Sequence, residues 1–237
     1  MLAMVLVIAP LSATAQSHRS GFNIFSPQQD YEIGRRSALA ANRQLRTYSD
    51  ARVTRIGRRL AAYAPGARFP YEFRVVGDSS INAFALPGGF VYVNSGSLAA
   101  ARSEDEIAAV IAHEIAHVSL RHGTNQASKA YLAQAGLGLI SGLLGRRGGG
   151  GLGQAMGLMG GFGLNTLFLK HSRTAEQQAD SLGMQMLRRA GYNPRGMISF
   201  LQTIQRQAGG RSVEFLSSHP NPSNRIARLE RELGGRR

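Results

Sequence analysis

Residues 113–117 read His-Glu-Ile-Ala-His, two imidazoles four residues apart with a carboxylate beside the first. On an α-helix, at about 100° per residue, four steps return a side chain to within roughly 40° of its starting direction, so both imidazoles can grip one ion. Glu114 projects beside that pair, where a carboxylate takes a proton from ion-activated water without itself being a ligand. The chemistry suited to these three residues is metal-assisted hydrolysis. The plain alternative is a helix with two histidines and an acid and no ion between them.

A catalytic zinc ion needs a third protein ligand and a fourth position open to water. Glu176 is the candidate, in the run Glu176-Gln177-Gln178-Ala179-Asp180, which places Glu and Asp one turn apart on one helical face. Asp180 can then accept a hydrogen bond from a ligating imidazole and fix its tautomer. His122 and His171 are rival ligands. His122 follows His117 by five residues, which on a regular helix turns it about 140° away; His171 precedes the next predicted helix. The sequence has no cysteine, which removes disulfides, thiolate metal sites and a cysteine nucleophile.

The elements that must position these groups are readable from caps and periodicity. Ser103 and Glu106 form a predicted capping box for the helix that carries His113, and Ile107, Ile111, Ile115 and Val118 give it an inward face. Ser26-Pro27-Gln28-Gln29 starts an earlier helix running to Leu45, and Val53, Ile56, Leu60 and Ala61 mark a second that ends before Pro65-Gly66. Strands are expected at 73–76, 82–85 and 90–93, the last two joined through Leu86-Pro87-Gly88-Gly89. Later helices fit Thr174–Arg189, Met197–Gln207 and Asn224–Leu233.

Of 237 residues, 43% are hydrophobic and 18% charged, a globular rather than disordered composition. The net charge is +14, and all but two of the 28 cationic residues are arginine, which favours anionic surfaces. The arginines are scattered through helices with no basic cluster interleaved with aromatics, so no nucleic-acid partner is expected. The apolar run Leu2–Ala9 and the triplet Ala13-Thr14-Ala15 suit a cleaved export signal over residues 1–15, leaving 16–237 as one domain. An uncleaved short anchor or a buried strand is the alternative. Residues 136–163 hold 13 glycines among Leu, Met, Ile and Phe. They are expected to form a mobile apolar insertion, with peripheral membrane contact or no role at all.

Four elements together resemble metallopeptidase family 48, the zinc-dependent gluzincin endopeptidases that include the CaaX prenyl proteases and the HtpX-type and BepA-type proteases. They are Asn82-Ala83-Phe84 with Pro87-Gly88-Gly89; His113-Glu114-x-x-His117; Ser172-Arg173-x-x-Glu176-x-x-Ala179-Asp180-x-x-Gly183; and Ser218-His219-Pro220 with Arg225. The resemblance implies an α+β, mainly helical zincin-type domain with a small sheet beside the zinc helix. It implies one Zn²⁺ per chain on His113, His117 and Glu176, with Glu114 as general base. His219 matches a histidine near the metal that either stabilises the oxyanion or occupies the open site, and Arg225 pairs with a nearby carboxylate; without the resemblance they are a loop histidine and a solvated helix charge.

The expectation is therefore a zinc endopeptidase acting on protein or peptide, exported to the periplasm and cleaving misfolded or unassembled envelope proteins. An extended substrate is expected to dock along an edge at Phe90–Val93, with Asn82, Ala83, Phe84, Val91 and Tyr92 in contact. The membrane spans and helical-repeat extension of some branches are not found, so substrate choice cannot be carried over. The rival reading is a zinc-containing chaperone or assembly factor that binds unfolded envelope proteins without cutting them.

Overall fold

The computed structural model describes residues 21–143, 171–207, 214–219 and 222–234. The expected leader over 1–15 and most of the glycine-rich insertion, from residue 144 on, lie outside the described residues. Helix α1 (Pro27–Gln44) begins where the sequence places it: Ser26 Oγ accepts from Gln29 N–H, and the Gln29 side chain accepts from Ser26 N–H, closing both halves of the capping box. A two-residue strand β1 (Thr47–Tyr48) leads to α2 (Ala51–Ala61), capped by Asp50. Helix α2 buries Val53, Ile56 and Leu60 and turns its arginines outward.

Strands β2 (Glu72–Val76), β3 (Ala83–Leu86) and β4 (Phe90–Asn94) complete a mixed sheet of order β1-β2-β4-β3. β2 and β4 run parallel, while β3 and β4 form an antiparallel hairpin through Pro87-Gly88-Gly89. Its turn uses φ of 78° at Gly88 and 111° at Gly89, values that L side chains rarely adopt. Alternation along β4 sends Val91 and Val93 into the main core and Phe90 and Tyr92 into a second cluster with Ala38 and Ala41 of α1. The sheet is thus covered on both faces.

This arrangement corrects the expected docking edge. β4 is paired on both sides, so Phe90–Val93 is an interior strand with no free backbone edge. Val91 and Tyr92 are each 1% exposed, and Tyr92 faces α1, stacked on Phe84 and donating to Asn42 Oδ1. Phe84 belongs to the same α1-facing cluster. Asn82 and Ala83 are also buried. Among the described residues the edge strand near the motif helix is β3, which contacts that helix directly.

After α3 (Ser95–Ala100) comes α4 (Glu104–Ser119), the helix of the His-Glu-x-x-His motif. Three acidic residues in its first turn complement the helix dipole. The capping box is half formed: Ser103 Oγ accepts from Glu106 N–H, but the Glu106 carboxylate accepts from Arg102 N–H instead of Ser103. Every residue from Glu106 to Ser119 is buried, so α4 is enclosed all round where periodicity predicted a single inward stripe. It packs against α2, β3 and the later helices α6 (Arg173–Arg189) and α7 (Arg195–Gln207).

Helix α5 (His122–Leu143) enters the insertion at residue 136 and keeps its first eight residues helical. The one-turn α8 (Phe215–Ser218) delivers His219, and α9 (Pro222–Gly234) closes the described chain. The fold is α+β, mainly helical with one small mixed sheet. No helix among the described residues is long and apolar enough to cross a membrane.

Candidate metal centre

The site is assembled from three helices and one loop. Helical spacing on α4 brings His113 Nε2 and His117 Nε2 to 3.0 Å from each other. Helix α6, capped by Ser172 and started one turn before Glu176, lays its carboxylate against both: Glu176 Oε2 is 3.4 Å from His113 Nε2, and Oε1 is 3.4 Å from His117 Nε2. His219 follows α8 and stacks on Phe215 at 4.3 Å between ring centres. Its Nδ1 lies 3.2 Å from His113 Nε2 and 3.0 Å from Glu176 Oε1. One ligand atom from each of these four residues falls within a single 4.8 Å cluster, and all four residues are buried.

The donor spacing fits a zinc ion. Ligands about 2.0–2.1 Å from a tetrahedral centre stand roughly 3.3–3.4 Å from one another, close to the separations of 3.0 to 3.4 Å found here. The donor chemistry fits as well, since imidazole nitrogens and a carboxylate oxygen are ordinary zinc ligands. Glu114 points a buried Oε1 with no hydrogen-bond partner to within 3.5 Å of His219 Nε2.

The buried carboxylates set the charge state of the imidazoles around them. Burial opposes charge on His113, but Glu176 outweighs it, with help from Asp180, and pushes the imidazole up to about 9. Burial likewise opposes the Glu176 carboxylate, yet His219 and His113 hold it well below the ordinary range. The two carboxylates thus favour positive charge on the His113 imidazole. Burial, reinforced by His171, leaves His117 well below its usual value and neutral. Burial also lowers His122 to about 4 and His171 to about 3. Burial pushes the Glu114 carboxyl upward, against the lowering effect of His219 and His113.

Behind the ligand atoms lies a second ring of contacts. Asp180 Oδ1 lies 3.1 Å from His113 Nδ1 and Arg225 Nη2 lies 3.4 Å from the same atom, so a carboxylate and a guanidinium both face the side of the ring turned away from Nε2. Arg225 clamps Asp180 with two bonds, of 2.6 Å from Nη2 and 2.9 Å from Nε. Its Nη1 also sits 2.7 Å from Glu176 Oε2, though without hydrogen-bond angles. Arg228 adds a 3.0 Å contact to Asp180 Oδ2. Burial opposes the Asp180 charge, but Arg225 outweighs it and keeps the carboxyl far down.

The structure therefore brings together His113, Glu114, His117, Glu176, Asp180, His219 and Arg225, and leaves Phe84, Val91 and Tyr92 in the core. His122 is not among the four clustered donors. The chain does not continue as a regular helix to reach it: α4 ends at Ser119, and Arg121 takes φ of 57° before α5 begins. That turn is held by Asp30, which accepts from Arg121 Nε at 2.6 Å. It returns His122 to the motif, with its Nδ1 2.9 Å from His117 Nδ1 and its Nε2 3.1 Å from Gln178 Oε1. His171 stacks on His117 with ring centres 3.9 Å apart. Neither contact is legible from spacing: the first depends on the break between α4 and α5, and the second on how the segment before α6 packs against α4.

Comparison with known proteins agrees with this geometry. A family model for peptidase family M48 matches residues 48–233. The beta-barrel assembly-enhancing protease of Escherichia coli (strain K12) is 33% identical, the match covering 74% of this chain and 37% of that protein. The mitochondrial metalloendopeptidase OMA1 of Schizosaccharomyces pombe is 31% identical over 76% of this chain and 52% of its own length. Metalloprotease YcaL of Escherichia coli is 29% identical over 74% of this chain and 69% of its own. The chain thus spans well under half the length of the assembly-enhancing proteases it matches.

Proposed function

The chain belongs to peptidase family M48, and on that premise we propose that it is a zinc-dependent endopeptidase. The observation that carries the reading is the convergence of His113, His117 and Glu176 beside the unpartnered Oε1 of Glu114. His113, His117 and Glu176 would hold the zinc ion, which when bound would supply Lewis acidity that lowers the pKa of water toward about 7. Glu114 takes the proton from water as it attacks the peptide carbonyl and passes it to the leaving amine. Asp180, clamped by Arg225, holds His113 in the tautomer that presents Nε2.

His219 is the fourth donor, standing where water or substrate must enter, so its proposed role is to occupy the open position until substrate displaces it. β3 is the edge strand beside α4, with Ala85 its one residue that is not buried, and the proposed docking mode is an extended peptide added as a strand there. Protein segments that are unfolded or unassembled present such strands. The apolar run Leu2–Ala9 with Ala13-Thr14-Ala15 and the similarity to a beta-barrel assembly-enhancing protease support substrates in the cell envelope.

The test is digestion of unfolded casein by the purified chain, with and without chelator, beside Glu114→Gln. Cleavage should be abolished by chelator, restored by zinc, and reduced at least about a hundredfold in Glu114→Gln, while that variant still binds zinc. Full activity in the variant would defeat Glu114 as the base. The closed donor set favours a second reading, a zinc-bearing assembly factor that does not cut, which would show chelator-sensitive folding and no fragments.

A further inference from the structure

Asp180 stands behind His113, but among the described residues no carboxylate is found behind His117. Its Nδ1 instead meets His122 Nδ1 at 2.9 Å, and His122 Nε2 meets Gln178 Oε1 at 3.1 Å. We propose that His122 and Gln178 are positioning residues, a neutral relay that fixes His117 in the tautomer whose Nε2 faces the metal.

Proton directions follow from the ends of the chain of bonds. The Gln178 carbonyl oxygen has no proton to give, so His122 Nε2–H must donate to it. A neutral imidazole with its proton on Nε2 offers a lone pair at Nδ1, which accepts from His117 Nδ1–H. His117 is then left with its lone pair on Nε2, the atom 3.0 Å from His113 Nε2 in the donor cluster. Reversing any one bond would set two donors or two acceptors against each other. His122 is 8% exposed and His117 4%, so water has little access to substitute for either partner.

One helix thereby supports both imidazoles: α6 contributes Glu176 to the centre, Asp180 behind His113 and Gln178 behind His122. The supports differ in kind. His113 is backed by a charged acceptor, His117 by a neutral one, so the two ligands differ in basicity while sharing a tautomer.

The inference rests on the zinc reading, and its test separates the two. Zinc dissociation constants are measured by competition with a chromophoric chelator for the full chain, Gln178→Leu, Gln178→Glu, His122→Phe and the double variant His122→Phe/Gln178→Leu. Circular dichroism of the metal-free forms confirms folding. Gln178→Leu should weaken zinc binding about tenfold, and Gln178→Glu, which keeps an acceptor and adds charge, should bind at least as tightly as the parent. His122→Phe should weaken it at least as much, and the double variant no more than His122→Phe alone, because Gln178 acts only through His122. In the metal-free parent, nitrogen NMR should place the His117 proton on Nδ1, with the other tautomer appearing in Gln178→Leu. Parent-like affinity in Gln178→Leu, equal loss in Gln178→Glu, or additive losses in the double variant would overturn the relay. A parent chain that binds no zinc would overturn the metal centre and the relay with it.

Discussion

At the residue scale, the most informative side chain is His219. Its Nδ1 is as close to Glu176 and His113 as those groups are to each other, and under the proposed function it competes for the position that hydrolysis needs open. His219→Ala should therefore speed cleavage of an unfolded protein several-fold and weaken zinc binding modestly, with three ligands remaining. Turnover and chelator competition check the two halves; a tenfold fall in turnover would instead place His219 on the reacting oxygen. Residue types carried most of this site in the sequence. The four-residue spacing brings the His113 and His117 imidazoles together, and the Glu-x-x-x-Asp spacing puts Glu176 and Asp180 on one face. What spacing could not reveal is the relay through His122, because a regular helix points that ring away. The bend at Arg121 is set by a contact with Asp30, ninety-one residues distant.

At the scale of elements, the distance between α4 and α6 sets the geometry of the centre, since one carries both imidazoles and the other the carboxylates. Gly183 lies at their contact. A Cβ there would sit 2.9 Å from the flexible end of Met197 and 3.5 Å from the backbone at Ala112 and His113. Gly183→Ala should be tolerated within about 1 kcal/mol, as Met197 can yield and alanine favours the helix. Gly183→Val should cost on the order of 2 kcal/mol by overpacking and weaken zinc binding by moving Glu176 away from His113. Chemical denaturation and chelator competition measure both. Two helix starts were legible because their signals are local: Ser26 and Ser103 both cap as hydrogen-bond acceptors, whereas the caps at Asp50 and Ser172 came only with the structure. Sheet order was not. Three strands in sequence give no sign that β4 inserts between β2 and β3, and a strand such as β1, of two residues, has no period to detect.

At the scale of the whole molecule, zinc would tie α4, α6 and the segment after α8 at one buried point. A ligand that binds only the folded state at a thousandfold excess over its Kd stabilises by about 4 kcal/mol. For a chain of this size that raises Tm by on the order of 10 °C. Thermal unfolding of chelated and zinc-loaded protein should show that difference, and Glu176→Gln should abolish it; equal melting temperatures would remove the ion from the fold's energetics. The α+β class was legible from element pattern, whereas the enclosure of α4 was not, because its alanines read as neutral filler until helices pack on them from every side. That enclosure orders events during synthesis. A chain leaving the ribosome displays its histidine pair well before Glu176 has been made, and the pair gains its acid only when the later helices dock. Whatever cutting power the protein holds thus arrives last, and a half-made copy poses no hazard to its neighbours.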